Sequence, residues 1–224
     1  MPQQDGQVAE PSILILANGD WTDETRLRSV FAHASYTIAT DGAWTKAQRL
    51  GLHVDTVIGD LDSLTPDEAA RAEATTQVLS YPTEKDWTDL ELAIDLALTM
   101  SPKCIVIYGA LGDRLDHSLT AVFLLEKVAV RGVPIELISG YETAWFVPDE
   151  LVLSDVQAGD RVSLLPISDE AVVSTDGLRY ALRDEVLARA ASRGVSNVVE
   201  SVPVRISVQS GQLLVIHARQ EGGS

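Results

Sequence analysis

Acidic residues follow three successive apolar, strand-like runs of the chain, and their types are those that bind a hard cation. Asp20 follows the first run, ILILA, within Asn18-Gly19-Asp20. Asp41 follows the run YTIAT, and Asp60 and Asp62 follow the run TVIG within the segment GDLDS. If GDLD is extended, side chains two residues apart point to the same side, so Asp60 and Asp62 can reach one cation. Each aspartate taken singly is typical of a turn or a helix N-cap. Together they predict a cleft whose carboxylates repel one another unless a divalent cation neutralises them.

Two further segments carry residues that suit a phosphate ligand. The segment KDWTD, residues 85–89, adds carboxylates at a predicted helix start, and the segment GALGDRLDH, residues 109–117, follows the run CIVIY. In the latter, Gly112 permits close backbone approach and Arg114 offers a planar fork for phosphate oxygens. Asp116 can cap the next helix or bind the cation, while His117 alone is typical of a helix first turn. These residues predict a ligand that carries phosphate.

Several familiar motifs are missing from the sequence. It contains no GxxxxGK[ST], no GxGxxG and no GxSxG. These absences exclude a Walker loop, a dinucleotide fingerprint and a serine nucleophile elbow, as far as a sequence can exclude them. The single cysteine, Cys104, lies within an apolar run and is a poor candidate for a nucleophile. Metal-assisted phosphoryl transfer explains clustered acids without a nucleophile.

The charge balance and the apolar runs limit the possible partners. The chain has 33 acidic and 17 basic residues and a net charge of −16, which opposes binding to a nucleic-acid backbone. No apolar stretch approaches the roughly 20 residues of a membrane span, and the first ten residues lack the pattern of a signal peptide. We therefore expect a cytoplasmic protein without nucleic-acid or membrane partners.

The order of apolar runs predicts two domains. From residue 13 to 140, strand-like runs alternate with helical stretches, which predicts an α/β domain with a mostly parallel, Rossmann-like sheet flanked by helices. From residue 141 to 219 the runs are short and β-like, which predicts a smaller all-β sandwich. Residues 1–12 and 220–224 are expected to be disordered.

Local signals predict several boundaries and turns. Thr65, Pro66 and Glu68 have the types of an N-cap, a first-turn proline and a capping-box acid. The runs VRISVQ and LLVIHA on either side of Ser210-Gly211 predict a β-hairpin. The stretch DEVLARAAS has a weak helical pattern between strand-like flanks.

Four short motifs in order resemble those of the thiamine pyrophosphokinase family. They are TDGA at 40–43, GDLDS at 59–63, KDWTDLE at 85–91 and GALGDRLDH at 109–117. The stretch STDGLRY at 174–180 and Ser196-Asn197 resemble the thiamine side of that family, so the resemblance covers roughly residues 13–217. Three departures are Ala43 in place of a second glycine, Leu61 in place of phenylalanine, and Asp113 in place of glycine. Asp113 adds negative charge to a phosphate-facing loop.

The resemblance implies transfer of a pyrophosphoryl group from ATP to the thiamine hydroxyl, with Mg²⁺, giving thiamine diphosphate and AMP. It implies a homodimer whose site combines the α/β domain of one subunit with the β domain of the other. The implied metal ligands are Asp41, Asp60, Asp62 and Asp89, and the implied catalytic residues are Asp89, Arg114 and Asp116. The implied ATP-binding residues are Asp41, Asp60, Asp62, Ser63, Lys85, Asp86, Thr88, Gly112, Arg114 and His117. Tyr180, Ser196 and Asn197 are implied to face thiamine.

Two alternatives and one role stay open. A pyrophosphokinase for another heterocyclic alcohol, such as a hydroxymethylpterin, would share the ATP-side motifs. A nucleotide-binding sensor would hold Mg-ATP at the same aspartates without presenting an acceptor. The general base is not evident, and Asp89 or Asp116 is hypothesised to orient the attacking hydroxyl.

Overall fold

The computed structural model describes residues 12–112 and 114–220, and elements are numbered in chain order within that part of the chain. The five helices are α1 (Glu24–His33), α2 (Asp41–Arg49), α3 (Pro66–Thr75), α4 (Asp89–Thr99) and α5 (Leu115–Ala129). The first seven strands are β1 (Ser12–Leu16), β2 (Tyr36–Thr40), β3 (Thr56–Gly59), β4 (Gln77–Ser80), β5 (Cys104–Tyr108), β6 (Ile135–Ser139) and β7 (Glu142–Val147). The other seven are β8 (Glu150–Leu153), β9 (Arg161–Pro166), β10 (Glu170–Asp176), β11 (Glu185–Ala188), β12 (Asn197–Val198), β13 (Val204–Ser210) and β14 (Leu213–Ala218).

The strands form two sheets. The larger has ten strands in the order β12-β9-β14-β7-β6-β5-β1-β2-β3-β4, and the smaller has four in the order β11-β10-β13-β8. The smaller sheet is antiparallel throughout. The prediction of an α/β fold with a second, smaller β structure is confirmed at this level.

The chain divides into two compact units. One contains the described residues up to Asn18 together with Thr25–Val106, and the other contains Gly19–Glu24 and the described residues from Ile107 onward. The division at residues 140 and 141 stays a prediction. Of the ends expected to be disordered, residues 1–12 and 220–224, only Ser12 and Gln220 lie within the described residues. Ser12 begins β1 and Gln220 forms a hydrogen bond, so neither fits that expectation. Asp113 lies outside the described residues.

In the first unit, short apolar strands are covered on both faces. Strands β1, β2, β3 and β4 pair in parallel in that order. Every residue of β3 is buried, and so are four of the five residues in β1 and in β2. Burial on both faces explains why β1, β2 and β3 are mainly apolar runs without alternation, whereas β4 at the edge of the sheet has no buried residue. Because the strands are parallel, their carboxyl ends share one edge of the sheet.

Helix α3 begins as its sequence predicts. The Thr65 hydroxyl accepts a hydrogen bond from Glu68 N, and the Glu68 carboxylate accepts one from Thr65 N at 2.9 Å. Pro66 occupies the first helical position, where its missing N–H costs nothing. The predicted capping box is therefore confirmed.

The second unit contains the antiparallel strands. Strand β14 lies between β7 and β9, and β13 lies between β10 and β8. Buried residues of both sheets, including Val162 and Val215 of one and Val173 and Ile206 of the other, belong to a single hydrophobic cluster. The alternating burial of β9 and β10 fits strands with one face toward such a core.

One local prediction in this unit is wrong, and one weak helical pattern does not form a helix. Strands β13 and β14 do not form a hairpin, because β13 pairs in the smaller sheet and β14 in the larger. The chain passes between the sheets at Gly211, whose φ of 84° is open to glycine at no steric cost. The stretch DEVLARAAS contains strand β11, which pairs with β10.

No helix in the described part of the chain is long and apolar enough to cross a membrane.

A buried carboxylate anchors the end of the described chain in the second unit. Asp160 is 4% exposed, and its Oδ2 lies 2.8 Å from Nε2 of the buried His217. It also accepts hydrogen bonds from Gln157 N at 2.9 Å and from Gln220 N at 3.1 Å. Burial is the largest single effect and raises the pKa of Asp160, but these hydrogen bonds together hold the pKa below its ordinary value of 3.8.

We expect Asp160→Asn to lower the free energy of unfolding near neutral pH by about 1–3 kcal/mol, because one amide cannot accept every hydrogen bond of the carboxylate. A pKa lowered by folding contributes stability above 3.8 that is lost as pH falls through the folded-state pKa. The difference between wild type and variant should therefore shrink in acid, as urea unfolding at a series of pH values would measure. Asp155→Asn, which removes a fully exposed carboxylate, is the control. A difference that does not change with pH would contradict the assignment.

Candidate functional site

Three carboxylates of the first unit converge at the carboxyl ends of its strands. Asp41 begins α2 directly after β2, Asp60 follows β3, and Asp62 lies in the next turn. One oxygen from each lies within 4.8 Å of the others, a spacing that one cation can bridge. Asp41 is buried, Asp60 half-buried and Asp62 exposed. The cluster thus reaches from the core to the surface.

A turn brings these carboxylates together, so the prediction of an extended GDLD segment is wrong. Leu61 has a φ of 64°, and Asp62 N donates a hydrogen bond to Asp60 Oδ1 at 3.2 Å. This is the side-chain-to-backbone bond that aspartate forms in turns. Ser63 N also donates to Asp41 Oδ2 at 3.4 Å, so the turn approaches the start of α2. The carboxylates meet although the local geometry differs from the predicted one.

The electrostatics of the cluster show the cost of crowding these acids. Burial raises the pKa of Asp41, with a smaller contribution from the charge of Asp89. A hydrogen bond between the side chains of Asp60 and Asp62, followed by the charge of Asp60, raises the pKa of Asp62. Partial burial raises the pKa of Asp60, yet hydrogen bonds from Asp62 and Thr83 outweigh it, so that pKa is lowered. A divalent cation would relieve this repulsion.

Asp89 lies beside the cluster but is not one of the three converging carboxylates. It begins α4, whose N-cap Thr88 accepts a hydrogen bond from Glu91 N at 3.2 Å. Its Oδ1 is 2.9 Å from Lys85 Nζ, an ion pair without the geometry of a hydrogen bond. The Lys85 side chain is only 10% exposed, so an ammonium partly neutralises the acids here. The implied role of Asp89 as a metal ligand stays a prediction.

Gly59 lies between the side chains of Asp41 and Asp89. The sequence motifs alone do not mark it as a residue of the site. Its φ is 152°, and a Cβ atom there would lie 3.1 Å from Asp89 Oδ2 and 3.2 Å from Asp41 Cβ. A side chain would therefore force the two acids apart. The available signal was a glycine between an apolar strand and the first aspartate of GDLD.

In the second unit, Arg114 and Asp116 bind each other in the described structure. Arg114 Nη2 and Nε lie 2.6 and 3.2 Å from the two carboxylate oxygens of Asp116, and both side chains are about two-thirds exposed. This hydrogen bonding lowers the pKa of Asp116. Arg114 occupies the N-cap position of α5 without a side-chain cap bond, so the prediction that Asp116 can cap this helix is wrong. His117 is exposed in the first turn.

The glycines near this loop pack against another backbone segment. Gly19 N donates to Gly109 O at 2.7 Å, and a Cβ atom at Gly112 would lie 3.3 Å from Gly19 Cα. Gly112 N donates to Ser118 Oγ at 3.2 Å. Close approach of chain to chain therefore accounts for Gly112, and its implied contact with ATP stays a prediction.

The three residues implied to face thiamine differ in exposure. Tyr180 is 65% exposed. Ser196 is exposed and has a φ of 58°, whereas Asn197 is 4% exposed.

Two residues of the first unit that are implied to bind ATP lie at its surface. Asp86 is exposed, and Ser63, also exposed, donates a hydrogen bond from Oγ to Asp62 Oδ1 at 3.4 Å.

Comparison with known proteins agrees with these motifs along most of the chain. Residues 27–137 match the family described as thiamin pyrophosphokinase, catalytic domain, and residues 150–213 match thiamin pyrophosphokinase, vitamin B1 binding domain. The chain is 31% identical to thiamine pyrophosphokinase of Bacillus subtilis (strain 168) over 163 residues, which cover 71% of this chain and 76% of that protein. It is 25% identical over 183 residues to thiamine pyrophosphokinase 1 of Oryza sativa subsp. japonica, covering 76% and 69% of the two chains.

Solved structures of similar proteins have the same fold. The crystal structure of thiamine pyrophosphokinase from Bacillus subtilis has a TM-score of 0.84 at 27% identity, covering 94% of this chain and all of that one. That of thiamin pyrophosphokinase from Geobacillus thermodenitrificans has a TM-score of 0.80 at 26% identity, covering 94% and 99%. The chain therefore belongs to the thiamin pyrophosphokinase family of enzymes.

Proposed function

We propose that this chain is a thiamine pyrophosphokinase, a transferase that moves the pyrophosphoryl group of ATP to the hydroxyl of thiamine. The observation that carries the proposal is the match of both family domains in order, with the carboxylate cluster inside the first. The hydroxyl oxygen attacks the β-phosphorus, and the bond to the bridging oxygen of AMP breaks. The products are thiamine diphosphate and AMP.

The acid cluster fits Mg²⁺. Asp41, Asp60 and Asp62 bring carboxylate oxygens within 4.8 Å of one another, and Mg²⁺ prefers such hard ligands. When bound, the cation would neutralise the oxygens of the transferring and leaving phosphates. Asp89 is the fourth ligand implied by the family, and Lys85 would be released from it to bind phosphate.

Arg114 is proposed to bind ATP phosphates in the second unit. Its guanidinium already forms a bidentate pair with a carboxylate, and the same planar fork matches phosphate oxygens. The pair is exposed, so exchanging Asp116 for phosphate requires little rearrangement. Gly112 and His117 are proposed ATP contacts by resemblance alone, as are Ser63, Asp86 and Thr88 in the first unit.

Asp89 or Asp116 is proposed to orient the attacking hydroxyl. Each carboxylate lies beside a cationic partner, Asp89 at 2.9 Å from Lys85 Nζ and Asp116 at 2.6 Å from Arg114 Nη2, and the hydrogen bonds from Arg114 lower the pKa of Asp116. A pH–rate profile of Asp89→Asn and Asp116→Asn would distinguish them. The variant with an unchanged profile would exclude its residue from this role.

The finer architecture is proposed from the pairing. Strands β1–β4 pair in parallel, as in a Rossmann-like sheet, and all of their residues except Ser12 lie within the predicted ATP-binding domain of residues 13–140. The shared core of antiparallel strands supports a thiamine-binding β-sandwich of residues 141–219. The family matches fall on either side of the predicted boundary.

A panel of acceptors tests the reaction. The protein is incubated with ATP, Mg²⁺ and thiamine, a hydroxymethylpterin or no acceptor, and AMP and ADP are separated. We expect AMP only with thiamine. If AMP forms with the pterin and not with thiamine, the proposed acceptor is wrong. If ADP forms instead of AMP, the protein is a simple kinase. If no nucleotide is turned over with any acceptor, the proposal of an enzyme is overturned.

We also propose a cytoplasmic homodimer, as the family resemblance implies. Helix α5 supports an interface, since Leu115, Leu119 and Phe123 at spacings of four residues expose 71%, 47% and 58% of their surface. Residues four apart form one helix face, and contiguous exposed apolar side chains mark interaction surfaces.

Replacing Leu119 and Phe123 together with glutamate is expected to convert a dimer into monomers, because four acids would then be buried at the two-fold interface. Light scattering measures the mass. Thr120→Glu adds an acid to the same helix outside this stripe and should leave the dimer intact. A monomeric wild type, or a dimeric double variant, would contradict the proposed interface.

A further inference from the structure

Asn197 in the second unit is a buried amide whose two polar groups bind the main chain. Its Oδ1 accepts hydrogen bonds from Tyr180 N at 3.0 Å and Val198 N at 2.9 Å, and its Nδ2 donates to Tyr180 O at 2.9 Å. The residue is only 4% exposed. The side chain thus binds both the N–H and the carbonyl of Tyr180.

This pair of bonds joins two chain segments. Leu178 and Val199 form an isolated antiparallel bridge, and Arg179 N donates to Val198 O at 2.8 Å. Where main-chain pairing ends, Asn197 supplies the next donor and acceptor from its side chain. The main chain of Tyr180 therefore lies where the Asn197 amide holds it.

The hydrogen bonds between the Asn197 side chain and the main chain of Tyr180, called the clamp below, leave exposed side chains on both segments. The Tyr180 side chain is 65% exposed, and Ser196, adjacent to Asn197, is exposed with a φ of 58°. Ser196 N donates to Ser163 Oγ at 3.0 Å. A non-glycine residue in this left-handed region persists only where its surroundings hold it, and such residues cluster at binding sites.

We propose that Asn197 is a positioning residue, which sets the Tyr180 ring against the cationic heterocycle of thiamine without contacting thiamine itself. The inference rests on the proposed function, because thiamine is taken as the acceptor and Tyr180 is taken to face it, as the family resemblance implies. An aromatic ring attracts a cation over its face only when ring and cation are correctly placed. Asn197 contributes to binding through that placement, since its buried side chain accepts two hydrogen bonds from the main chain and donates one to Tyr180 O.

The test is a double-mutant cycle read out as the KM for thiamine. Steady-state rates are measured for wild type, Asn197→Ala, Tyr180→Ala and the double variant. We expect each single variant to raise the KM for thiamine by about tenfold, with kcat and the KM for ATP unchanged. Since Asn197 acts through Tyr180, the double variant should be no worse than Tyr180→Ala.

Additive effects in the double variant would overturn the inference, because they would mean a separate contact of Asn197 with thiamine. An unchanged KM in either single variant would also overturn it. If Asn197→Ala does not fold, Asn197→Asp replaces it in the cycle. This variant keeps the acceptor for the two N–H groups but sets a carboxylate oxygen against Tyr180 O. It should raise the KM for thiamine, and a wild-type value would contradict the inference.

Amide hydrogen exchange tests the positioning role of Asn197 separately from the proposed function. Loss of the clamp should speed exchange of the Tyr180 N–H, a measurement that needs no catalysis. A wild type that forms no AMP with thiamine would refute the proposed function. An active wild type whose KM for thiamine is unaffected by Asn197→Ala would refute only the positioning role.

Discussion

Replacing Asp62 with asparagine is expected to lower turnover about a hundred- to a thousandfold, as removal of one preorganised charge-stabilising group commonly does. Asp62 is exposed, so the amide fits without repacking, but it removes one of three negative charges that face the proposed cation. Turnover is measured as AMP formation. Mn²⁺ titration without ATP measures cation binding independently of catalysis, and it should show weaker binding in the variant.

Asp67→Asn is the matched control for this substitution, since Asp67 is an exposed aspartate in the first turn of α3, outside the cluster. Its activity and metal binding should stay close to wild type. Melting curves of both variants test for an intact fold. Near-normal turnover and Mn²⁺ binding in a folded Asp62→Asn protein would exclude the cluster as the metal site.

Replacing Arg114 with alanine is expected to cost a similar factor in turnover. The guanidinium is the proposed counter-charge for phosphate oxygens, whose negative charge shifts as AMP leaves. Arg114→Lys should recover only part of the loss, because an ammonium keeps the charge without the bidentate fork. The measurement is the steady-state rate with ATP and thiamine for all three proteins.

Arg189→Ala controls for loss of an exposed ion pair, because Arg189 pairs with Asp169 at 2.7 Å and is 62% exposed, much as Arg114 pairs with Asp116. It should leave turnover unchanged, since exposed ion pairs contribute little to stability. If Arg114→Ala behaves like Arg189→Ala, Arg114 has only a surface role.

Local physical chemistry made several elements predictable. The capping box of Thr65 and Glu68 depends on residues three positions apart, so the sequence contains every partner that it needs. The buried runs of β1, β2 and β3 are likewise visible as apolar segments. For the same reason, the candidate aspartates could be selected from their positions directly after such runs.

Other features depended on pairings that local sequence does not encode. The hairpin at Ser210-Gly211 was predicted from neighbouring β-like runs, but β13 and β14 each pair with strands distant in sequence. Strands that share a core can lie in either sheet without changing their alternating pattern. The type of Gly112 likewise predicted a close backbone approach, but only the fold shows that a Cβ atom there would lie 3.3 Å from Gly19 Cα; its implied contact with ATP stays a prediction.

The carboxylates of Asp41, Asp60 and Asp62 show how much of the site the sequence alone could predict. By itself the sequence determined that Asp41, Asp60 and Asp62 follow buried strands and that their types suit a hard cation, because residue type and strand position are local properties. The tertiary structure decided that they meet, through parallel pairing of β2 with β3 and the left-handed Leu61, and that Asp89 is held by Lys85. Distances between side chains from different strands depend on how the whole sheet packs, which no single segment specifies.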